Sequence, residues 1–399
     1  MDANHFQGEP HLIIDSAALR TNLRTIRRHV AAEVKVCAVI KADAYGHGAS
    51  NIAHALVKIE RESPFLRVDG FAVATADEAF DLGEFGKPIM ILRPIENAFL
   101  GRQRGLIEEA IRRGWTITLS SAAAADDVAR IAMHMQKRAS VQIMLDTGMT
   151  RCGVALMEFA NLLERSLHHA SLKLEAVATH FANSEVAGDP YTAEQLRCFK
   201  RTVEEYPILD SVPKHAANSG GIFFAPRAHF DLVRPGISLY GIDPTGRPSV
   251  DRALAPVARL VAPLMAVHDV DAGQTVGYGQ SWIAPARTRI GILPIGYADG
   301  YPRSASNRAV TMIGGKLCGV VGRVSMDMTA INLTNVPDAV IGDEVTVIDS
   351  NPLSPASIYP LARIADTIPY ELLARIGPRV KRVLTGVEQH DASDVDAGK

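Results

Sequence analysis

Eight short apolar runs, separated by stretches of helical periodicity, constrain this chain more than any other feature. They are VKVCAVI (34–40), GFAVAT (70–75), PIMILR (88–93), TITLS (116–120), VQIMLD (141–146), LEAVATH (174–180), KHAANS (214–219) and LVRPGISLYG (232–241). Segments such as ADEAFDLGEF and SAAAADDVARIAMHM lie between them. Runs this apolar suit strands buried on both faces, as in a parallel sheet covered by helices. Eight strand–helix units predict a closed (β/α)8 barrel of the TIM type. An open doubly wound sheet is the alternative. Ahead of these runs, HLII reads as a strand. From Asp15, a candidate cap, Leu19, Leu23, Ile26 and Val30 recur at helical spacing.

Near residue 250 the pattern changes. LVAPLMAVHDVDAG, QTVGYGQSW, TRIGILPIGY, AVTMIGG and DEVTVID are short strand candidates broken by Gly, Pro and Asp. Helical character returns only in SPASIYPLARIADTIPYELLARIG. The expected organisation is a barrel over 11–250, a β-rich domain over 251–385 and a polar, disordered tail over 386–399. A chain of 399 residues with 47% hydrophobic residues can bury cores of this size.

Acids and bases nearly cancel, to a net charge of −2, which argues against a nucleic-acid partner. Clusters such as RTIRRH suit the solvated face of a helix. Cys37, Cys152, Cys198 and Cys318 form no Cys-x-x-Cys pair, so neither a metal centre nor a redox pair is expected. Cys37 sits in an apolar run and reads as a small hydrophobe. The first ten residues lack the charged-then-apolar pattern of a leader, and no apolar run reaches the roughly 18 residues of a membrane span. A cytoplasmic protein without a membrane partner is expected.

Barrel chemistry collects at the C-terminal ends of the strands. There the chain places Lys41, Arg151 in DTGMTRCG, His180, Asn218 and Ser219 before two glycines, and Arg234. Lys41 shares strand parity with Cys37 and Val39, so it faces the interior if they do. Burial lowers a lysine's pKa and frees its amine to react with a carbonyl. Taken singly, each residue has a plainer reading. Lys41 equally suits a strand-end lysine in solvent, and His180 a satisfied core histidine. Arg151 and Arg234 equally suit structural ion pairs, and Ser219 a turn. Together, a lysine, a glycine-rich phosphate cradle, arginines and a histidine on one rim suggest pyridoxal 5′-phosphate.

The motifs VIKADAYGHG, LDTGMTRCG, THFANSE, HAANSGG, VRPGISLYG, VGYGQSW, PIGYADGYPR, GRVSMDM and IPYELL follow one another in the order found in alanine racemases. The chain resembles that family from about residue 11 to residue 385. The resemblance implies a pyridoxal-phosphate barrel followed by a β-rich domain. It makes Lys41 the lysine that carries the cofactor. It puts the phosphate on Tyr45, Ser219, Tyr370 and the amides of Gly221, Gly236 and Ile237. Arg234 would face the pyridine nitrogen, with His180 between Arg234 and Tyr278. It makes Lys41 and Tyr278 the two acid–base groups of L-alanine to D-alanine racemisation. It assigns Arg151 and the Met326 amide to the substrate carboxylate and Tyr297 to the entrance. Tyr278, Tyr297, Met326 and Asp327 fall in the second domain, and the family shares its sites across a homodimer. D-alanine for peptidoglycan is the implied product. On sequence alone, VGYGQ equally suits a bulge or tight turn, and Tyr370 a helix anchor. A broad-specificity racemase, an amino-acid decarboxylase and a non-catalytic pyridoxal-phosphate carrier are the rival readings. One position departs from the pattern. Many family members carry a lysine, converted to a carbamate, seven residues before the arginine of TGMxR. Here that position is Met144, so another group must brace Arg151: a chloride, a water or a different side chain.

Overall fold

The computed structural model describes residues 8–95, 102–249 and 251–386. Apart from Gly386, the tail expected over 386–399 lies outside the described residues. The chain forms two compact units. One comprises Thr21–Ala255 with Ile368–Arg375. The other comprises the described residues up to Arg20, Pro256–Thr367 and those from Ile376 onward.

The first strand of the chain, β1 (His11–Asp15), belongs to the second of these units. The barrel unit contains β2 (Lys35–Val39), β3 (Gly70–Val73), β4 (Ile89–Ile91) and β5 (Thr116–Leu119). It continues with β6 (Ala139–Met144), β7 (Leu172–Ala178), β8 (Lys214–His215) and β9 (Leu232–Val233). These pair in parallel in the order β8-β7-β6-β5-β4-β3-β2-β9. Two bonds join the ends of this sheet: Arg234 N–H to the Ala217 carbonyl at 2.9 Å, and Asp231 N–H to the Lys214 carbonyl at 3.1 Å. The architecture is therefore the closed barrel and not the open sheet. Helices follow the strands where the sequence supplies caps. Thr75 accepts the Glu78 amide ahead of Ala76–Leu82, and Ser121 accepts the Ala124 amide ahead of Ala122–His134. The second helix turns Ala124, Ala125, Val128, Ala129, Ile131 and Ala132 inward. Such short side chains let helix and sheet approach closely.

In the β-rich unit, β1 lies between two strands far along the chain: β10 (Ala258–Pro263), antiparallel, and β19 (Lys381–Thr385), parallel. The remaining strands are β11 (Ala266–Val270), β12 (Thr275–Val276), β13 (Trp282–Ile283) and β14 (Thr288–Leu293). They are followed by β15 (Val310–Ile313), β16 (Lys316–Gly319), β17 (Thr329–Asn332) and β18 (Glu344–Ile348). The main sheet runs β16-β15-β18-β10-β1-β19, beside the smaller sheets β11-β14-β17 and β12-β13. The late helical stretch is two helices, Ile358–Ile364 and Pro369–Ala374. Asp366 takes φ +53° between them and Pro369 opens the second. That second helix belongs to the barrel unit. The compact units are thus discontinuous in sequence, unlike the ranges 11–250 and 251–385.

Candidate active site

A cavity of about 500 Å³ opens at the C-terminal rim of the barrel. Lys41, Tyr45, Arg151, His180, Ser219 and Arg234 line it, together with Gly236, Ile237 and Tyr370. Gly221 is buried next to Gly220 but does not line it.

Lys41 follows β2 and opens a left-handed turn. Ala42, Asp43, Ala44 and Tyr45 all have φ between +51° and +55°. Each such residue costs about 1–2 kcal/mol, so the turn needs external anchors. Glu78 accepts the Ala42 amide at 2.9 Å and the Ala74 amide at 2.6 Å through its two oxygens. Asp43 accepts the Ala49 amide at 2.7 Å. Gly46 has no room for a Cβ, which would meet the Leu373 carbonyl at 2.0 Å. Burial, then the Arg151 charge, lower the Lys41 pKa, and Glu78 opposes them. More of its amine is therefore neutral and nucleophilic than in a free lysine.

Arg234 is 3% exposed and none of its partners is a carboxylate. It donates to His215 Nδ1, to the Thr179 carbonyl at 2.8 Å and to the Ala216 carbonyl at 3.1 Å. Burial lowers its pKa to about 10, which leaves it protonated near neutrality. His180 has a nitrogen donor beside each ring nitrogen: Arg234 Nη2 at 3.3 Å from Nδ1 and Asn218 Nδ2 at 3.5 Å from Nε2. An imidazolium would have no lone pair to offer either. Burial and the Arg234, Arg151 and Lys41 charges hold His180 well below its usual pKa. Asn218 is itself fixed, because its Oδ1 accepts the Gly221 amide at 3.0 Å and the Ser184 hydroxyl at 2.6 Å.

Next to Asn218, Ser219 Oγ accepts the Gly236 amide at 2.9 Å, the Ser238 amide at 3.3 Å and the Ser238 hydroxyl at 3.0 Å. Its own proton has no acceptor among the described residues. The Ile237 amide likewise has none, whereas the Gly221 and Gly236 amides are engaged by Asn218 and Ser219. Tyr45 rests on Gly236, whose Cβ would sit 2.4 Å from the Tyr45 hydroxyl. Its ring lies 6.3 Å from that of Tyr370.

The loop that carries Arg151 is built around Asp146, which accepts the Gly148 amide at 2.8 Å and the Thr150 amide at 3.1 Å. Tyr191 holds the Gly148 carbonyl at 2.7 Å. Met144 is 7% exposed and lines the cavity with Arg151. No described residue supplies the bracing group expected for Arg151.

Tyr278, Tyr297, Met326 and Asp327 belong to the β-rich unit. Tyr278 is 72% exposed, on a turn with φ +74° at Gly277 and +67° at Gly279. The Tyr297 amide donates to the Ser325 carbonyl at 3.0 Å, and the Ala298 amide to the Met326 carbonyl at 3.0 Å. A Cβ on Gly296 would lie 2.3 Å from the Ser325 carbonyl oxygen. A Cβ on Gly322 would lie 2.5 Å from the Val276 carbonyl oxygen. One stretch, Gly322–Met326, therefore touches the segments bearing both tyrosines. Asp327 pairs with Arg379 at 2.8 Å.

Sequence reasoning missed Glu78, Ser184, Thr118, Gln142 and His215. Of these, Gln142 carried a signal: it is a lone polar residue within the apolar stretch VQIML.

The chain matches two family profiles: "Alanine racemase, N-terminal domain" over residues 14–244 and "Alanine racemase, C-terminal domain" over residues 257–384. It is 34% identical to the alanine racemase of Sorangium cellulosum (strain So ce56) over 378 residues, 92% of this chain and 97% of that protein. It is 35% identical to that of Brucella abortus (strain 2308) over 385 residues, 93% and 92% of the two chains. Among solved structures, the alanine racemase from Streptomyces coelicolor A3(2) superposes with a TM-score of 0.85 at 32% identity, covering 95% of this chain and 98% of that one. The alanine racemase from Bartonella henselae with covalently bound pyridoxal phosphate gives 0.81 at 30% identity, with 94% and 99% covered.

Proposed function

Because the chain belongs to the alanine racemase family, we propose that it interconverts L- and D-alanine with pyridoxal 5′-phosphate held in the barrel cavity. The observation that carries this reading is the pairing, around one cavity, of a lysine of lowered pKa with a buried guanidinium that lacks a carboxylate partner.

The residues present fit the cofactor. Ser219 has a hydroxyl proton and Ile237 an amide to give, and the Tyr45 and Tyr370 rings stand beside them. Those four would hold a phosphate, with the Gly221 and Gly236 amides sharing their present acceptors. Arg234 would face the ring nitrogen without yielding its proton. When bound, the cofactor withdraws electrons from the amino acid and acidifies its α-proton.

Inversion requires a proton taken from one face of the α-carbon and returned to the other. Lys41 Nζ would serve one face and Tyr278 Oη the other. His180 is held well below its usual pKa by burial and by the Arg234, Arg151 and Lys41 charges, so the arginines carry the fixed positive charge of the barrel cavity. Arg151 and the Met326 amide would hold the substrate carboxylate, with Tyr297 at the entrance.

A homodimer that shares its sites is part of this reading. Its support is the exposed surface around Tyr278, Tyr297 and Met326, where Ile283 and Met328 are also 60% and 46% exposed. No described helix is long and apolar enough to cross a membrane. Cytoplasmic residence and a role in supplying D-alanine for peptidoglycan complete the proposal. The unpaired Cys37, Cys152, Cys198 and Cys318 thiols support a reducing compartment.

Chiral analysis after incubation of L-alanine with cofactor-loaded protein tests the reading. D-alanine should accumulate to a near-equal mixture, and borohydride reduction should leave a pyridoxyl group on Lys41. Carbon dioxide release, or a label on another lysine, would reject it.

A further inference from the structure

Beneath Arg234 the barrel interior carries a continuous polar chain. The Thr118 hydroxyl donates to the Ile91 carbonyl. Thr118 Oγ accepts from Gln142 Nε2 at 2.6 Å. Gln142 Oε1 lies 2.9 Å from His215 Nε2, and His215 Nδ1 meets Arg234 Nη1. Thr118 and Gln142 are 0% exposed, His215 1% and Arg234 3%, so protein groups must satisfy them all.

The two ends of this chain dictate its polarity. A carbonyl only accepts, so the single Thr118 proton goes to Ile91. Thr118 Oγ must then accept, which turns the Gln142 amide nitrogen toward it and Gln142 Oε1 toward His215. His215 Nε2 must therefore carry the proton. A neutral imidazole has one, so Nδ1 keeps its lone pair for Arg234. Guanidinium only donates, so the far end demands the same polarity. Burial and the Arg234 charge also hold His215 well below its usual pKa, in the neutral form. The path is open because β7 is narrow here: Ala176 is register partner of Gln142, and Ala178 of Met144 and His215.

We infer that Gln142 and Thr118 are positioning residues: they fix the proton of His215 on Nε2 and, through Nδ1, aim the Arg234 guanidinium into the cavity. The catalytic consequence rests on the cofactor reading above; the tautomer does not. Only the Nε2-protonated tautomer gives Arg234 an acceptor, and Gln142 Oε1, itself turned by Thr118, is the acceptor that holds the proton there.

The test is nitrogen-15 NMR of histidine-labelled holoenzyme, with the cofactor absorbance spectrum and steady-state kinetics beside it. The wild type should show His215 protonated at Nε2 only. Thr118→Val removes the acceptor for Gln142 Nε2 and lets the amide turn. Part of the His215 signal should move to the Nδ1-protonated form, the cofactor spectrum should shift, and kcat should fall about tenfold or more while KM changes little, as when an outer partner of a ligating histidine is lost. Thr118→Ser should restore all three. Gln142→Glu should protonate both His215 nitrogens. A wild-type His215 protonated at Nδ1 overturns the inference, even if no variant folds. So does an unchanged His215 signal in both Thr118→Val and Gln142→Glu. A wild type that fails to racemise alanine but shows the Nε2 tautomer supports the inference and rejects the proposed function instead.

Discussion

Glu78 Oε1 accepts the amide of Ala42, the residue directly after Lys41, at 2.9 Å. Its other oxygen accepts the Ala74 amide at 2.6 Å. One carboxylate thereby ties the left-handed turn of β2 to the end of β3. It also sits close enough to raise the Lys41 pKa against burial and Arg151, which lower it. Glu78→Ala should destabilise the protein by about 1.5–3 kcal/mol, the usual worth of hydrogen bonds to a charged group. Glu78→Gln keeps one acceptor oxygen and should cost less. Both changes remove the charge, so Lys41 should capture pyridoxal phosphate at lower pH than in the wild type. The absorbance of the captured cofactor, titrated with pH, reads this directly. An unmoved midpoint in both variants would contradict a link from Glu78 to Lys41.

The two proposed acid–base groups should be separable by the hand of the substrate. Tyr278→Phe removes Oη and leaves the ring. Loss of one general base costs roughly 10²–10⁴-fold. Exchange of the α-deuterium from L-alanine should fall by an amount in that range, and exchange from D-alanine far less. Equal losses for the two enantiomers would remove Tyr278 from its assigned face.

Lys41 and Tyr278 belong to different compact units, and the proposed dimer draws one from each protomer. Lys41→Ala and Tyr278→Ala chains should each be inactive alone. After subunit exchange, verified by mass-tagged protomers, one site in each mixed dimer would hold both residues and activity should return in part. Exchange without recovery would mean that each chain completes its own site.

The buried histidines set a pH limit on stability. His215 and His180 have folded-state pKa values well below 6.5, first through burial and then through the Arg234 charge. His11 and His229 are lowered too, again chiefly by burial. Unfolding releases these rings to bind protons near their ordinary pKa. The unfolded state therefore binds more protons below about 6.5, and folding stability falls as pH drops through that value. Each fully neutral buried histidine contributes a slope of about 1.4 kcal/mol per pH unit there. Carboxylates titrate mostly lower, so the window between about pH 6.5 and 5 isolates the effect. Urea midpoints that stay flat across this window would show that the rings take up protons while folded.

Much of this site was legible because its chemistry breaks a local pattern. Lys41 ends an apolar strand, and Ser219 precedes two glycines at a strand-to-helix turn. The closed barrel followed from strand–helix alternation, a local property. Other features depend on partners that no local pattern reveals. Glu78 meets backbone amides, which are the same in any residue, and Ala42 lies 36 positions away. The sheet that takes β1 is decided by β10 and β19, far along the chain. Gln142 interrupts an apolar run, Thr118 alternates with Ile117 and Leu119 beside Thr116 and Ser120, and their shared meaning lies in a register between β5 and β6. Two helices came from one helical stretch because only Asp366 and Pro369 mark the break, and the late unit boundary falls at that break.

Met144 fixes what the enzyme cannot use. It is 7% exposed and lines the cavity with Arg151, at the position where the family resemblance leads one to expect a lysine that carbon dioxide converts to a carbamate. A thioether has no amine to carboxylate and only a weak acceptor to offer. Among the described residues Arg151 has no ion pair, so its orientation should come from the substrate carboxylate, a small anion or water. Activity in buffer stripped of carbon dioxide should therefore match activity in air, and added bicarbonate should change nothing. Mass analysis of a trapped sample should find no carboxylated side chain near residue 144. If Arg151 is braced by a small anion, KM for alanine should respond to chloride at constant ionic strength, and bromide should give an anomalous peak beside the guanidinium. Met144→Lys buries an amine close to Arg151, where like charge is unfavourable. That variant should be less active without bicarbonate than with it, provided the walls admit a carbamate. A wild type that loses activity on removal of bicarbonate and regains it on addition would place an unforeseen carboxylated group at the site and end this account of Arg151.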